Sequence, residues 1–373
     1  MGNGKWGIPR PTAVLFPFTI HYSLFADSHM PWDEALVNSL VYASPDPKAG
    51  RVLSYPKAVL EALTLALQVD PSVFVLGQGV DDPSAMFGTT RGLQEKFGCE
   101  RVFDTPLSEE GMMGVCAGAA MNGMRPVYMH NRPDFILLAM NQLVTHAAKY
   151  HFMDNGQTTV PMVVWAAIGR GWGSGAQHSQ AIQGLLLGAP GLKIVMPSTP
   201  YDAKGLLLSA IADNNPVLVF EHRWLMKKDG TVPEEFYTIP LGKGIYRRRG
   251  GDVTIVGASH TLELALQAAD GLAAEGIEAE VIDLRTVKPL DEQIIAESLA
   301  KTGRLLVVDT GWAMGGVCAE VGCLAAEKWF RHLKAPVRRI GLPDIPCPAG
   351  YTLEQFYYPD ARKIASVVRE LCA

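Results

Sequence analysis

From residue 52 onward, short runs that are apolar throughout alternate with longer stretches whose apolar positions recur at helical spacing. The segment YPKAVLEALTLALQVD has the helical period and leads into the strand-like SVFVLGQG, and the glycine-rich stretch ending AAMNGMRP precedes VYMH. A helix is predicted through AMNQLVTHAAKYHFM, then a strand in VPMVVWAAI, and GLKIVMPS and PVLVFEH repeat the pattern around the helix AKGLLLSAIADN. Strands that are apolar at every position, separated by helices, indicate a parallel sheet covered on both faces.

A second set of units follows the polar stretch YRRRGGD, read as a hinge in which Arg247, Arg248 and Arg249 are solvated or meet a partner. VTIVGAS, AEVIDLR and RLLVVDTG alternate with helical LELALQAADGLAAEG, DEQIIAESLAKTG and AEVGCLAAEKWF, and PVRRIGL forms a fourth strand. The expected class is α/β, with two doubly wound domains over residues 51–245 and 246–373. Residues 1–50 carry prolines and aromatics without a clear period, which predicts an N-terminal arm lying against another subunit.

Composition narrows the partners. The chain has 373 residues, 48% hydrophobic and 19% charged, so it affords large cores or interfaces. Its net charge of −5 supplies no overall basic field for nucleic acid or an anionic membrane. No apolar run approaches the ~20 residues of a membrane span. Six dispersed cysteines without a CxxC pair fit a reducing cytosol. Cys318 and Cys323, five apart on a predicted helix, face different directions and read as small core residues.

Phosphate-loop, GxSxG and HExxH patterns are absent and no GxGxxG opens a helix after a strand, so reactivity must come from elsewhere. Two places remain. In FDTPLSEEGMMGVCAGAAMNGMRP, Glu109 and Glu110 open a helix rich in small residues, which lets another backbone approach closely, and both acids lie at its positive end. Pattern alone leaves them equivalent as helix-start carboxylates. The second place is His178 in GSGAQHSQ, either an exposed acid–base group after a glycine-rich loop or a structural histidine.

The stretches FDTPLSEEGMMGVCAGAAMNGMRP, AQHSQ, PGLKIVMPSTPYDAKGLLLSAIADNNPVLVFEHR and EAEVIDLRTVKPLD, in this order, resemble the beta subunits of thiamine-diphosphate-dependent 2-oxo acid dehydrogenases. The family includes the decarboxylating components of the pyruvate and branched-chain complexes and acetoin dehydrogenase, all transketolase-like. The resemblance runs from about residue 52 to the C-terminus. It implies an alpha2beta2 heterotetramer in which the alpha subunit holds the diphosphate and Mg2+; the Gly-Asp-Gly that begins that motif is absent here.

By resemblance, Glu109 hydrogen-bonds a pyrimidine ring nitrogen of thiamine diphosphate and favours the imino tautomer that takes the thiazolium proton. Leu107 packs beside the cofactor, Phe135 flanks the pyrimidine, and His178 stands near the reacting carbon. Met162, Ala210, Asp213 and Asn215 match a potassium site built largely of backbone oxygens.

Two departures stand out. The family's LGE(D/E)V becomes LGQGV, placing Gln78 and Gly79 where two acids belong to a proton network, and an amide takes up no proton near neutral pH. The acidic-aromatic strand end becomes MHNRPDF, bringing His130, Asn131 and Arg132 to the pocket and predicting a more polar, cationic lining.

The resemblance implies decarboxylation of a pyruvate-like 2-oxo acid and transfer of the activated fragment to an acceptor such as the lipoyl group of an acyltransferase. Two alternatives stay open: a specialised relative that passes a two-carbon unit to a small carbonyl or sugar acceptor, with His130 and Arg132 binding anionic groups, and a non-catalytic scaffolding paralogue.

Overall fold

The structure, a computed structural model, describes residues 50–82, 84–169 and 173–373; the arm predicted over residues 1–50 lies outside them apart from Gly50. The strands, in chain order, are β1 (Val52–Ser54), β2 (Val73–Gly77), β3 (Val102–Phe103), β4 (Arg125–Met129), β5 (Val163–Ile168), β6 (Lys193–Val195) and β7 (Val217–His222). They continue with β8 (Asp229–Thr231), β9 (Ile245–Arg248), β10 (Val253–Gly257), β11 (Ala279–Asp283), β12 (Thr286–Lys288), β13 (Leu305–Trp312) and β14 (Arg338–Leu342).

These strands build a seven-stranded sheet of order β12-β6-β7-β5-β4-β2-β3, a five-stranded sheet of order β14-β13-β10-β11-β9, and the small ribbon β1-β8. Both larger sheets are parallel except at one edge, where β12 runs antiparallel to β6 and β9 antiparallel to β11. Every residue of β2, β4, β5, β7, β10 and β11 is buried, as the uniformly apolar runs predict for strands covered on both faces.

The helices flanking the first sheet are set by local signals. Tyr55–Val69 starts at Ser54 with Pro56 in its first turn, and Pro200–Ala212 starts at Thr199, whose side chain accepts from the Asp202 amide at 3.1 Å. Every residue of the second helix is buried. Among the described residues no helix is long and apolar enough to cross a membrane.

Three expectations need correction. The helix predicted over residues 139–153 is instead a 3-10 turn over Pro133–Ala139, a π-helical stretch over Asn141–Ala147 and a short α-helix over Tyr150–Met153. Apolar spacing alone does not separate these windings, because each buries one stripe. Cys318 is in the core, its thiol reaching the Ile340 carbonyl at 3.4 Å, but Cys323 is exposed on the same helix. All six cysteines are free.

The third concerns the hinge. Tyr246 and Arg247 lie within edge strand β9, and the Arg247 side chain is only 9% exposed. Its guanidinium donates to Asp202 and, at 3.0 and 3.1 Å, to Asp283. Arg285 donates to the other oxygen of Asp202 at 2.8 Å, and Ser198 to Asp283 at 2.9 Å. Two carboxylates far away in sequence thus draw Arg247 inward and join the helix after β6 to the second sheet. Strand β12, from the second half of the chain, adds a backbone connection by pairing with β6.

Candidate active site at the carboxyl ends of the first sheet

Strands β2, β4, β5 and β7 are mutually parallel neighbours, so the segments leaving their carboxyl ends emerge along one edge. Such edges are where open α/β sheets bind ligands. Gln78 follows β2, His130 and Asn131 follow β4, the loop carrying His178 follows β5, and Arg223 follows β7. Gly77 makes the convergence possible: its φ is +146°, and a Cβ there would stand 2.2 Å from the Met129 carbonyl oxygen. The Asn131 amide then donates to the Gln78 carbonyl at 3.2 Å, tying the two strand ends together.

Glu109 begins the Glu109–Met121 helix and is half-buried, while Leu107 just before it is 81% exposed. Met113, Cys116, Ala117 and Ala120 bury one stripe of this helix. Glu109 lies close enough to Tyr128 and His130 for its charge to act on both. Glu110 is exposed and accepts from the Asn141 side chain at 3.2 Å, so it bridges to the π-helical stretch as well as opening its own helix.

His130 adds no positive charge to the expected cationic lining, which leaves Arg132 as its cation. It is 2% exposed, and burial pushes its imidazole down to about 4, leaving it neutral at physiological pH. Its Nδ1 pairs with the Arg132 carbonyl at 3.2 Å, which makes Nδ1 the protonated nitrogen and Nε2 a bare acceptor. Among the described residues neither Nε2 of His130 nor Oδ1 of Asn131 has a hydrogen-bond partner, although both are buried. Two such atoms beside a glutamate and an apolar helix suit a flat ring with polar edges, and the thiamine pyrimidine fits that description.

His178 is half-buried and packs edge-on against Phe135, with ring centres 5.3 Å apart. Arg223 donates to the His178 carbonyl, and Asp134 accepts from the Gln180 amide at 3.2 Å. Beside this loop lies a cavity of about 770 Å³ lined by Arg223, Trp224, His260, Glu263, Tyr351 and Glu354 among others.

Three polar residues of this edge were missed in the sequence. Asp104, inside the FDTPLSEEG stretch, accepts from the Gly79 amide at 2.7 Å and brings a carboxylate to the place where Gln78 and Gly79 lack one. Asp134 and Arg223 adjoin Phe135 and PVLVFEH and looked like ordinary loop residues; no local pattern reports a partner 45 residues away.

The residues matched to potassium lie at the opposite edge, where β5 and β7 begin. The Asp213 carboxylate is engaged by Lys193 and by the Asn215 amide at 2.8 Å. The Asp213 carbonyl accepts from Arg125 at 3.0 Å, and the Met162 carbonyl from the Val217 amide at 3.0 Å. Ala210 is fully buried in the Pro200–Ala212 helix. The carboxylate oxygens of Asp213 are therefore satisfied by the protein, and no cluster of three metal-ligating side chains occurs among the described residues.

Comparison with known proteins agrees with this architecture. Residues 51–228 match the transketolase pyrimidine binding domain and residues 242–364 the transketolase C-terminal domain. The acetoin:2,6-dichlorophenolindophenol oxidoreductase subunit beta of Bacillus subtilis is 43% identical over 333 residues, 86% of this chain and 97% of that protein. The 2-oxoisovalerate dehydrogenase subunit beta of the same organism is 42% identical, covering 86% and 98%. The mitochondrial pyruvate dehydrogenase E1 component subunit beta-1 of Arabidopsis thaliana is 38% identical, covering 91% and 93%. Among solved structures, a split-gene transketolase in an inactive beta4 tetramer has the same fold, with a TM-score of 0.68 at 24% identity over 87% of this chain and 99% of that one. The chain belongs to the transketolase-like family of beta subunits of thiamine-diphosphate-dependent 2-oxo acid dehydrogenases.

Proposed function

We propose that this chain, with domains over residues 51–245 and 246–373, pairs with an alpha subunit in an alpha2beta2 enzyme that decarboxylates a pyruvate-like 2-oxo acid. The activated fragment then passes to an acceptor such as a lipoyl group on an acyltransferase. The observation that carries the reading is the pair of buried, unpartnered atoms of His130 and Asn131 at the end of β4, with Glu109 within electrostatic reach of His130. When bound, thiamine diphosphate supplies a nucleophilic carbon and an electron sink.

The chain's own groups have separable tasks. Glu109 holds a proton at a pyrimidine nitrogen, and its position at a helix start in a partly dry cleft strengthens that bond. Nε2 of His130 and Oδ1 of Asn131 accept hydrogen bonds from the ring's polar edge, and Phe135 and Leu107 cover its apolar surface. His178 handles a proton of substrate or acceptor. Magnesium on the alpha subunit, and potassium at Met162, Ala210, Asp213 and Asn215, rest on the family resemblance alone. The transfer to a small carbonyl or sugar acceptor loses one support, since a neutral His130 brings no positive charge.

Glu109→Gln in the reconstituted alpha–beta complex tests the reading. Hydrogen–deuterium exchange at the cofactor's reactive carbon is expected to slow by about 100-fold or more, within the range of general acid–base contributions. Exchange at the parent rate refutes it. Reconstituted enzyme given pyruvate, 2-oxoisovalerate or acetoin, with 2,6-dichlorophenolindophenol as electron acceptor, then identifies the substrate class.

A further inference from the structure

The loop after β5 that carries His178 is gripped from two sides by buried charges. Arg223, 4% exposed at the end of β7, donates through one nitrogen to the His178 carbonyl and through the other to the Ser174 hydroxyl at 3.4 Å. Asp134, 5% exposed and directly before Phe135, accepts from the Gln180 amide at 3.2 Å. The two groups thus hold the backbone at His178 and just after it and the Ser174 side chain before it, while the Phe135 ring meets the imidazole edge-on. On its outer side the same loop backs onto Ala349, whose Cβ stands 3.3 Å from where a side chain at Gly175 would begin.

Burying charge is costly unless it is used. Burial pulls the Arg223 guanidinium down to about 10, which still leaves it charged at neutral pH, with Arg132 lowering it further and Asp134 acting the other way. Burial raises the Asp134 carboxyl, and the Gln180 contacts and Arg223 oppose that rise. Both charges act on the one loop that holds the proposed acid–base group.

We propose that Arg223 and Asp134 are positioning residues that set the place of His178 relative to the reacting carbon. The inference rests on the proposed reading of the site and adds to it residues that touch neither substrate nor cofactor. Fixing a proton-transfer group this way matters because a misplacement of about 1 Å costs on the order of 100-fold in rate. Arg223 also lines the neighbouring cavity of about 770 Å³.

The test is a double-mutant cycle in the reconstituted alpha–beta complex, with pyruvate as substrate and 2,6-dichlorophenolindophenol as acceptor, or whichever of the three candidate substrates turns over. Arg223→Met is expected to lower kcat about 10- to 100-fold with hydrogen–deuterium exchange at the cofactor carbon unchanged, because exchange depends on Glu109. Arg223→Lys, which keeps a cationic donor, is expected to recover part of the loss, and Asp134→Asn to lower kcat by a smaller factor. In a His178→Ala background, Arg223→Met is expected to change kcat by less than about 2-fold, since residues acting through one another are non-additive. An equal loss in both backgrounds shows that Arg223 acts independently of His178 and overturns the inference, as does a parent-like Arg223→Met enzyme. Loss of exchange together with kcat, in the Met and Lys variants alike, means general disruption and also overturns it. Parent-like turnover of His178→Ala removes the role of His178 in the proposed reaction, whereas impaired His178→Ala beside parent-like Arg223→Met removes the positioning role alone.

Discussion

Replacing Glu221 by Gln is expected to flatten the loss of stability of this protein as pH rises from about 4.5 to 8. Glu221 lies in β7 opposite Ala167 of β5, is fully buried, and among the described residues neither of its carboxyl oxygens has a hydrogen-bond partner of good geometry. Burial pushes its carboxyl up from the ordinary 4.5 to about 8, with the Trp165 indole offsetting only part of that rise. Tyr55, whose buried hydroxyl also lacks a partner among the described residues, lies close enough for the Glu221 charge to act on it. Between pH 4.5 and 8 the folded state therefore keeps a proton that the unfolded chain releases. The unfolded state binds fewer protons, so stability falls as pH rises, by at most roughly 1.4 kcal/mol per pH unit, and levels off above 8. The shift of about 3.5 units corresponds to a penalty of about 5 kcal/mol at pH 9, an upper bound that local relaxation reduces. Gln keeps the shape and cannot ionise. The assay is thermal or urea unfolding of parent and variant, in the same assembly state, at each pH from 5 to 9. The variant's advantage should grow steadily from pH 5 to 8 and then stay constant. Parallel pH profiles for the two proteins refute the reasoning.

Further outcomes follow from the same contacts. Arg247→Met is expected to destabilise the protein by about 3–5 kcal/mol, because the buried Asp202 and Asp283 lose a shared partner, and urea unfolding showing less than about 1 kcal/mol would contradict a buried clamp. His130→Phe is expected to raise the stability of the cofactor-free chain by about 1 kcal/mol while weakening thiamine diphosphate binding, since it removes an unpartnered buried acceptor that the cofactor uses. Melting curves with and without cofactor separate these two effects, and an unchanged cofactor-induced shift rules out His130 as a contact.

The predicted strands of both sheets were legible because uniformly apolar runs bounded by turn residues have few other stable uses. The helix at Glu109 was equally legible, although nothing local distinguished Glu109 from Glu110. The winding of residues 133–153 was not, since 3-10, π and α turns bury similar stripes at the same composition.

What the sequence by itself determined is therefore most of the buried central strands and the helices beside them, their apolar faces and, through motifs in a long shared order, the family. Tertiary structure alone decided which charges are buried and whom they meet. Arg247 read as a solvated hinge until two distant carboxylates drew it inward. His130 read as a cation until enclosure by neighbouring elements removed the water that would stabilise its charge. Arg223 and Asp134 had no visible task until parallel strand order brought their ends to the loop of His178. Apolar burial is written in local periodicity because it needs only a face to cover, whereas the state of a charge depends on the particular groups within a few ångströms, which chain topology selects.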